Sequence, residues 1–323
     1  MKLCTFAPSF DSPTTKLGLL LEEPNRVVDV SATAATVNTM SLQALLEGDA
    51  ADWSALRELA AQPDESTVVT LDDGQWRAPL PCPASLRDCL SFEQHWIQCA
   101  QTVANSKVPM LGNLDQLLQR TTGRSLLAPP RIWRQRPIYY KGNRRSVVGH
   151  GATIRWPRYS KQLDFELEIA VYIGKAGVDI PVEEASQYVA GYSLFNDFSA
   201  RDVQFREMSA RLGPSKSKDF DTGNSLGPYL TTPDEVDLGS MTLEVAVNGD
   251  LWSRTDASSL YHSVDETISF LSQSEMLHPG DVIGLGTAPS GCGLELDRWI
   301  RPGDVVELRS NQLGVLRNQV LGS

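Results

Sequence analysis

The chain has 323 residues, of which 41% are hydrophobic and 21% are charged, so it can bury a substantial core and has the composition of an ordinary globular protein. Its 40 acidic residues outnumber 29 basic ones, and the net charge of −11 disfavours binding to nucleic acid or to anionic membrane surfaces. The sequence shows neither a secretory signal pattern nor an apolar run of membrane-spanning length, so we expect a cytoplasmic protein with no nucleic-acid or membrane partner.

The N-terminal part of the chain alternates between short predicted strands and turn residues, and then becomes helical. The predicted strands cover residues 2–6, 17–21 and 27–30, and the predicted helices cover residues 41–46 and 53–61. Because proline continues neither kind of element, the stretch Leu80-Pro81-Cys82-Pro83 is predicted to be a linker. We therefore expect a small N-terminal β-containing domain at residues 1–80 and a larger domain at residues 81–323.

The segment after this linker is predicted to be a helix over residues 85–104. Its side chains Phe92, His95 and Trp96 suit a lid that covers a site. The helical pattern over residues 106–137 is weaker. Long connecting segments of this kind are often functional.

The chain beyond Pro137 turns strongly towards β-structure, with one helix predicted at residues 182–190 and ended by Gly191. Predicted strands cover residues 146–150, 165–174, 192–195 and 241–247; Asn248-Gly249 predicts a hairpin turn, and the turns at residues 278–281 and 301–304 each open a further strand. Strands and helices do not alternate regularly, which disfavours a doubly wound fold. We expect an α+β, β-rich fold built from antiparallel strands as a sandwich or roll.

Two acidic residues, Glu166 and Glu168, alternate with apolar residues on one of these strands and therefore point to the same side. Adjacent carboxylates repel each other unless a cation compensates them, and oxygen ligands favour Mg²⁺, Mn²⁺ or Ca²⁺. The alternative is that both carboxylates lie on a solvated sheet face. Asp197 favours the metal hypothesis, because it follows the end of a strand and can be aimed at the same point.

Arg201 and Gln204 follow Asp197 and lie three residues apart, on one face of the next helix if Ser199 caps that helix. The planar fork of an arginine suits a substrate carboxylate or enolate, although an ordinary surface salt bridge is the alternative. The cysteines favour free thiols, because their number is odd and their spacing irregular; they are Cys4, Cys82, Cys89, Cys99 and Cys292. A nucleophilic pair of Cys89 with His95 is a weaker hypothesis than a buried thiol.

Four motifs in this order resemble the fumarylacetoacetate hydrolase family. They are the Glu166-x-Glu168 strand, the segment from Asn196 to Gln204, the run from Lys216 to Thr222 followed by Leu226-Gly227-Pro228, and the hairpin Val247-Asn248-Gly249. The resemblance extends from about Pro83 to the end of the chain. It implies the mixed β-sandwich roll of that family's C-terminal domain, a bound Mg²⁺ or Mn²⁺, a small keto-acid substrate and a homodimer.

The resemblance also implies roles for individual residues. The metal would be held by Glu166, Glu168 and Asp197, with Asp88 as a possible fourth ligand, since it lies seven residues before His95 as in the family. His95 would be the catalytic base, Glu295 would orient it, and Lys218 would stabilise charge or donate a proton. Substrate contacts are implied for Tyr140 and Thr287, beside Arg201 and Gln204.

The activity implied is hydrolysis of a carbon–carbon bond in a β-diketo acid through an enolate. Decarboxylation, isomerisation or hydration at the same site is the main alternative, and a non-catalytic binding protein is a third hypothesis. Two departures from the family pattern bear on the substrate. The loop at residues 289–295 is shorter, and the segment at residues 95–140 is longer, so the lid and pocket are expected to differ.

Overall fold

Three β-sheets with helices around them make up the fold in the computed structural model, which describes residues 1–23, 25–33, 41–211 and 213–322. The strands are β1 Lys2–Phe6, β2 Lys16–Leu20, β3 Arg26–Asp29, β4 Val68–Thr70, β5 Trp76–Arg77, β6 Ser85–Cys89, β7 Tyr139–Lys141, β8 Val147–Val148, β9 Thr153–Arg155, β10 Leu163–Asp164, β11 Leu167–Ile173, β12 Val189–Asp197, β13 Ser199–Ala200, β14 Asn224–Thr231, β15 Thr242–Val247, β16 Asp250–Asp256, β17 Asp281–Gly284, β18 Val305–Ser310 and β19 Gly314–Leu321. The α-helices are α1 Leu42–Glu47, α2 Ala50–Ala61, α3 Glu93–Lys107, α4 Pro109–Thr122, α5 Arg131–Gln135, α6 Arg201–Ser209, α7 Val264–Leu271 and α8 Gly293–Leu296. Short 3-10 helices are Val30–Ala32, Glu65–Thr67, Asp73–Gln75, Val182–Tyr188 and Pro233–Glu235.

The largest sheet runs in the order β4-β3-β2-β1-β14-β12-β11-β17-β6-β7, and β5 and β8 attach at its side. A second sheet runs β16-β15-β18-β19-β9, and β10 pairs with β13. The predicted α+β, β-rich class is confirmed. The expectation of antiparallel pairing alone is wrong, because β8–β14, β6–β17 and β9–β19 are parallel pairs.

The main core lies between the two large sheets. Ile169 and Leu194 of the larger sheet share one buried apolar cluster with Val245 and Leu308 of the five-stranded sheet. A second cluster covers the opposite face of the larger sheet, under α1 and α2. Because both faces are covered, every residue of β11 is buried, and an acidic side chain on that strand cannot reach bulk water.

Two predicted helices differ from the structure. The first five residues of the helix predicted at residues 85–104 form strand β6, because Ser85–Cys89 pairs with both β17 and β7, and helix α3 begins only at Glu93. The helix predicted at residues 182–190 is a 3-10 helix, Val182–Tyr188, and Gly191 lies inside β12 instead of capping a helix. A Cβ at Gly191 would stand 2.5 Å from the Thr231 carbonyl oxygen, so the close approach of β14 requires glycine there.

The predicted turns are confirmed. Asn248 and Gly249 join β15 to β16 with positive φ angles of 54° and 86°, as a tight hairpin turn requires. The turns at residues 278–281 and 301–304 lead into β17 and β18.

The N-terminal strands extend the larger sheet, because β1 pairs with β14. The division of the chain at residue 80 stays a prediction. Among the described residues, no helix combines the length and apolar character that a membrane span needs.

Candidate active site

Three acidic side chains meet where neighbouring strands of the larger sheet come together. Asp88 lies on β6, Glu168 on β11 and Asp197 at the end of β12, and their carboxylate oxygens come within 4.8 Å of one another. Strand β17 runs between β11 and β6 and contributes Gly284 at this point. A Cβ on Gly284 would stand 2.3 Å from Asp88 Oδ1 and 3.0 Å from Glu168 Oε2, so the absence of a side chain makes room for the carboxylate cluster.

This cluster of Asp88, Glu168 and Asp197 is buried, and its charges are poorly compensated. Glu168 is only 1% exposed, which rules out the solvated sheet face considered for the sequence. Burial raises the pKa of Asp88, and burial together with the neighbouring carboxylates raises the pKa of Glu168 and of Asp197 well above their usual values. Oδ1 of Asp88 and Oδ1 of Asp197 have no hydrogen-bond partner in the part of the chain that the structure describes. Buried carboxylate oxygens without a hydrogen-bond partner are the ligand atoms that a hard divalent cation prefers.

Glu166 lies beside the carboxylate cluster but has cationic partners of its own. It is 4% exposed; its Oε1 is 2.7 Å from Nη2 of Arg201, and its Oε2 accepts a hydrogen bond from Nζ of Lys218. Burial alone would raise the pKa of Glu166, but Lys218 and Arg201 outweigh it and hold that pKa below its usual range. Of the predicted metal ligands, the structure thus groups Asp88 with Glu168 and Asp197, and it places Glu166 in an ion pair at the edge.

Lys218 joins Glu166 to the carboxylate cluster. Its Nζ donates to Glu166 and to Oδ2 of Asp197, and it lies 3.5 Å from the Asp197 carbonyl oxygen. Burial would lower the pKa of Lys218, but Asp197 and Glu166 outweigh it and raise that pKa, so the side chain is charged. Tyr140 donates its hydroxyl to the same Asp197 oxygen at 2.6 Å, and burial and the Asp197 charge raise the pKa of Tyr140 well above its usual value. Both predicted residues therefore border the cluster.

Arg201 is held by protein groups on several sides of its guanidinium. Nε and Nη2 donate to Asp164 Oδ2 at 2.9 Å and 2.8 Å, and Nη1 donates to Gln204 Oε1 at 2.7 Å. The predicted one-turn spacing of Arg201 and Gln204 is present, although the helix cap is Ala200 and Ser199 instead donates to the Asp197 carbonyl. The Arg201 guanidinium thus mainly holds Glu166 and Asp164, because few of its N–H groups are left for a substrate anion.

Asp164 is a site residue that the sequence analysis missed. Besides Arg201, its carboxylate accepts the backbone N–H groups of Gly293 at 2.7 Å and Leu294 at 3.0 Å. It therefore ties helix α6 to the first residues of α8. The signal was present in the sequence, since Asp164, Glu166 and Glu168 follow one another at every second position.

His95 and Glu295 form the predicted pair. Nδ1 of His95, on α3, lies 3.2 Å from Oε1 of Glu295, which also accepts the backbone N–H of Ser290 at 3.0 Å. Burial would lower the pKa of His95, but the Glu295 carboxylate outweighs it and raises that pKa well above its usual value. His95 is near enough to the acidic site for its charge to help lower the pKa of Glu166.

Thr287 completes the predicted set. Its hydroxyl donates to Glu168 Oε1 at 3.2 Å, and the backbone N–H of Gly286 donates to Glu168 Oε2 at 3.2 Å. Thr287 therefore orients the Glu168 carboxylate. His150 lies away from this site, with Nδ1 2.8 Å from the Val315 carbonyl oxygen and its ring against Trp76.

The buried acidic site as a whole fits a divalent cation. Five buried carboxylates, Asp88, Asp164, Glu166, Glu168 and Asp197, outnumber the buried basic side chains beside them, which among the described residues are Lys218, Arg201 and His95. A buried excess of negative charge is costly unless the carboxylates take up protons or bind a cation. Asp88, Glu168 and Asp197 are the residues that would hold the ion, because their oxygens converge and two of those oxygens lack partners.

The sequence analysis also missed two thiols beside the histidine. Sγ of Cys99 lies 3.8 Å from Nδ1 and 3.9 Å from Nε2 of His95, and Cys292 belongs to the same group. Cys89, the thiol considered as a nucleophile, is buried on β6, where burial raises its pKa well above its usual value. All five cysteines are free, as predicted.

Known proteins resemble this chain over much or all of its length. The family described as fumarylacetoacetate (FAA) hydrolase C-terminal matches residues 113–321. The oxaloacetate tautomerase YisK of Bacillus subtilis is 29% identical over 296 residues, which cover 88% of this chain and 87% of that protein. The mitochondrial oxaloacetate tautomerase fahd2 of Xenopus laevis is 28% identical over 327 residues, which cover 99% of this chain and 90% of that protein.

Solved structures share the fold. The fumarylacetoacetate hydrolase of the psychrophile Exiguobacterium antarcticum superimposes with a TM-score of 0.71 at 24% identity, with 100% of each chain covered. At this level of identity the likeness concerns the fold, and it confirms the architecture that the four sequence motifs imply.

Proposed function

The chain belongs to the fumarylacetoacetate hydrolase family, and we propose that it interconverts the keto and enol forms of a small dicarboxylic α-keto acid of the oxaloacetate type. The observation that carries the proposal is the His95–Glu295 pair beside the buried carboxylate cluster, because it sets a proton carrier next to a site suited to a cation. Two relatives aligned over most of their length are oxaloacetate tautomerases, which supports this choice of reaction.

The chemistry divides between a metal and the residues of the chain. Mg²⁺ or Mn²⁺ held by Asp88, Glu168 and Asp197 would polarise the substrate carbonyl and stabilise the negative charge of the enolate. Tyr140 and Lys218 keep Asp197 in place, and Thr287 does the same for Glu168, so the ligand oxygens stay oriented.

His95 carries the proton. Glu295 raises the pKa of His95 and so favours the protonated ring, which can deliver a proton to the carbon atom next to the oxygen-bearing carbon of the enolate. The enol oxygen gives up its proton to solvent, and His95 takes one from solvent before the next turnover, so the net change moves one proton from oxygen to carbon. Glu295 holds the ring and stabilises its charged form.

Access to the site requires movement of α3. His95, Glu168 and Asp197 are buried, and α3 is hydrogen-bonded through Gln98 to Ser290 in the loop before α8, the helix that carries Glu295. We therefore expect α3 to act as the lid that the sequence predicts. Once shut, it excludes water, which strengthens the electrostatic contacts around the substrate.

Hydrolysis of a carbon–carbon bond in an acylpyruvate is the second candidate function. The same His95–Glu295 pair favours it, since a histidine held by a carboxylate can activate water when neutral. The raised pKa of His95 places hydrolysis behind tautomerisation, because the charged ring is an acid and not a base.

The test follows the decay of enol-oxaloacetate in ultraviolet absorption with chelator-treated protein, before and after Mn²⁺ is added. We expect metal-dependent tautomerisation that falls about 100-fold or more in His95→Gln, the usual contribution of a positioned acid or base. His278→Gln is the matched control, because His278 is exposed.

A panel of acylpyruvates, assayed for released pyruvate, distinguishes the candidates. Cleavage of an acylpyruvate without oxaloacetate tautomerisation would replace the first proposal by the second. Absence of both activities in protein that binds Mn²⁺ would contradict both and favour a binding protein.

A further inference from the structure

A second group of donor atoms lies beside the carboxylate cluster and has a different chemistry. We propose that His95, Cys99 and Cys292 form a site for a soft divalent ion of the zinc class, separate from the hard-ion site. One donor atom from each side chain comes within 4.8 Å of the other two. His95 and Cys292 are buried and Cys99 is partly buried, so an ion here would be largely shielded from water.

Two separate elements bring these donors together. His95 and Cys99 are four residues apart on α3 and therefore lie on one face of that helix. Cys292 comes from the loop before α8, where it is the N-cap residue. Gln98 and Ser290 join helix to loop by two hydrogen bonds, from Gln98 Nε2 to Ser290 Oγ at 3.2 Å and from the Ser290 N–H to Gln98 Oε1 at 2.9 Å.

The spacing of the donors suits tetrahedral coordination. Zinc–sulfur bonds of about 2.3 Å and zinc–nitrogen bonds of about 2.0–2.1 Å place sulfur and nitrogen about 3.6 Å apart in a tetrahedral site. The Cys99 sulfur lies 3.8 Å and 3.9 Å from the two ring nitrogens of His95. The Cys99–Nε2 distance of 3.9 Å is close to this value, and a rotation of the Cys99 or His95 side chain would bring the sulfur to the Nε2 side of the ring.

Glu295 supplies a hydrogen-bond partner for the ring nitrogen of His95 that does not bind the ion. Its Oε1 is 3.2 Å from Nδ1 of His95, and its Oε2 accepts the backbone N–H of Cys292 at 3.0 Å. When the Nδ1–H of a histidine donates a hydrogen bond to a carboxylate, the lone pair of Nε2 is free to bind a metal, as is usual around protein zinc sites. One carboxylate therefore orients two of the three ligands.

The two sites should select different ions. Two sulfurs and one imidazole favour zinc and other soft ions, whereas the oxygen atoms of Asp88, Glu168 and Asp197 favour Mg²⁺ or Mn²⁺. Each thiol that coordinates must lose its proton, so binding to the soft site releases protons and strengthens as the pH rises.

An ion at the soft site would act as an inhibitor. This consequence rests on the proposed function, because a ligated Nε2 can no longer carry a proton to substrate. Binding itself rests only on the geometry of His95, Cys99 and Cys292.

The experiment titrates Cd²⁺, a soft-ion probe for this class, into reduced, chelator-treated full-length protein with Mg²⁺ in excess. Thiolate-to-cadmium charge-transfer absorption reports sulfur ligation independently of activity, and calorimetry gives affinity and stoichiometry. The variants are Cys99→Ser and Cys292→Ser. The controls are Cys82→Ser, which removes an exposed thiol, and Asp197→Asn, which alters only the carboxylate cluster.

We expect one Cd²⁺ bound per chain, an affinity at least about 10-fold weaker in each ligand variant, and unchanged cadmium binding in both controls. Wild-type absorption and affinity in Cys99→Ser would overturn the proposal, as would loss of the band in Cys82→Ser. Cys99 is partly exposed, so this variant decides the matter even if Cys292→Ser fails to fold. Cysteine-dependent binding that leaves turnover intact would support the site and contradict the proton-carrier role of His95.

Discussion

Glu166 and Glu168 are two residues apart and point to the same side, yet their charges are compensated in different ways. Lys218 and Arg201 pair with Glu166, whereas Glu168 faces Asp88 and Asp197. The alternation of acidic and apolar residues predicted the shared direction of the two side chains. It could not separate their roles, because the partners come from distant parts of the chain.

Gly284 offers a test of the carboxylate cluster at the scale of one atom. In Gly284→Ala the new Cβ would stand 2.3 Å from Asp88 Oδ1, so Asp88 must move. We expect Mn²⁺ affinity to fall at least about 10-fold, with a loss of about 1–3 kcal/mol in the free energy of unfolding from overpacking. Calorimetry and urea denaturation measure the two effects.

The matched control is Gly239→Ala, because Gly239 is exposed and the nearest atom to its new Cβ lies at 3.3 Å. Wild-type metal affinity in Gly284→Ala would show that Asp88 does not take part in holding the ion.

Lys218 is the buried cation whose loss should matter most to the metal-free protein. Lys218→Met leaves Glu166 and Asp197 without this partner, and breaking a buried ion pair costs about 3–5 kcal/mol. We expect the melting temperature of chelator-treated protein to fall and Mn²⁺ to restore part of the loss. Thermal unfolding with and without Mn²⁺ measures both.

Lys216→Met is the control for this change, since Lys216 lies two residues earlier and is exposed. A larger loss of stability in Lys216→Met would contradict the placement of Lys218.

At the scale of elements, the strands were easier to predict than the segment that covers the site. Local alternation and turn residues identified β15 and the hairpin at Asn248-Gly249. Strand β6 was predicted as helix, because its structure comes from pairing with β17 and β7, which lie about 200 and 50 residues away along the chain. Asp88 therefore emerged from the family resemblance and not from the local pattern.

The contact between α3 and the loop before α8 predicts a separation of binding from turnover. Gln98→Ala removes both hydrogen bonds to Ser290 and should loosen the loop before α8, the helix that carries Glu295. We expect kcat to fall while Mn²⁺ affinity stays within about 2-fold, because the metal ligands lie on strands. Steady-state kinetics and calorimetry give the two quantities.

Ser106→Ala on the same helix is the control, because its hydroxyl is exposed and contacts only the Val103 carbonyl. Equal losses of turnover in both variants would indicate a general disturbance of α3 and not a role for this contact.

At the scale of the whole molecule, the stability of the metal-free protein should depend on pH. Burial raises the pKa of Asp88, and burial together with neighbouring carboxylates raises the pKa of Glu168 and of Asp197, so these groups bind more protons in the folded chain than in the unfolded chain above about pH 4. Stability must therefore fall as the pH rises through this window. The raised pKa of His95 acts in the same direction, because its contribution is present below about pH 6.5 and is lost as the pH passes the folded value.

Mn²⁺ should oppose this loss of stability, because the ion compensates the negative charge of the clustered carboxylates once they have lost their protons. We expect the increase in melting temperature caused by Mn²⁺ to grow between about pH 5 and pH 8. Thermal unfolding across this range measures it, and Asp197→Asn should show a smaller pH dependence. An increase that is independent of pH would contradict the assignment of the ligands.

The family resemblance predicted more about the whole molecule than composition did. Charge and hydropathy only disfavour nucleic-acid and membrane partners, whereas the motif order identified the fold, as the shared architecture shows. The implied homodimer stays a prediction, which sedimentation equilibrium would settle. Neither source indicated that Cys99 and Cys292 meet at His95, because that contact depends on how α3 packs on the loop before α8.

The binding of Mn²⁺ to chelator-treated protein, measured by calorimetry with and without oxalate as a mimic of the enolate, is the most direct test of the proposed site. We expect one ion per chain, oxalate binding that requires Mn²⁺, and loss of both in Glu168→Gln but not in Glu58→Gln, whose side chain is exposed. Oxalate binding without Mn²⁺, or Mn²⁺ binding unchanged in Glu168→Gln, would contradict a metal-dependent enolate site in the carboxylate cluster.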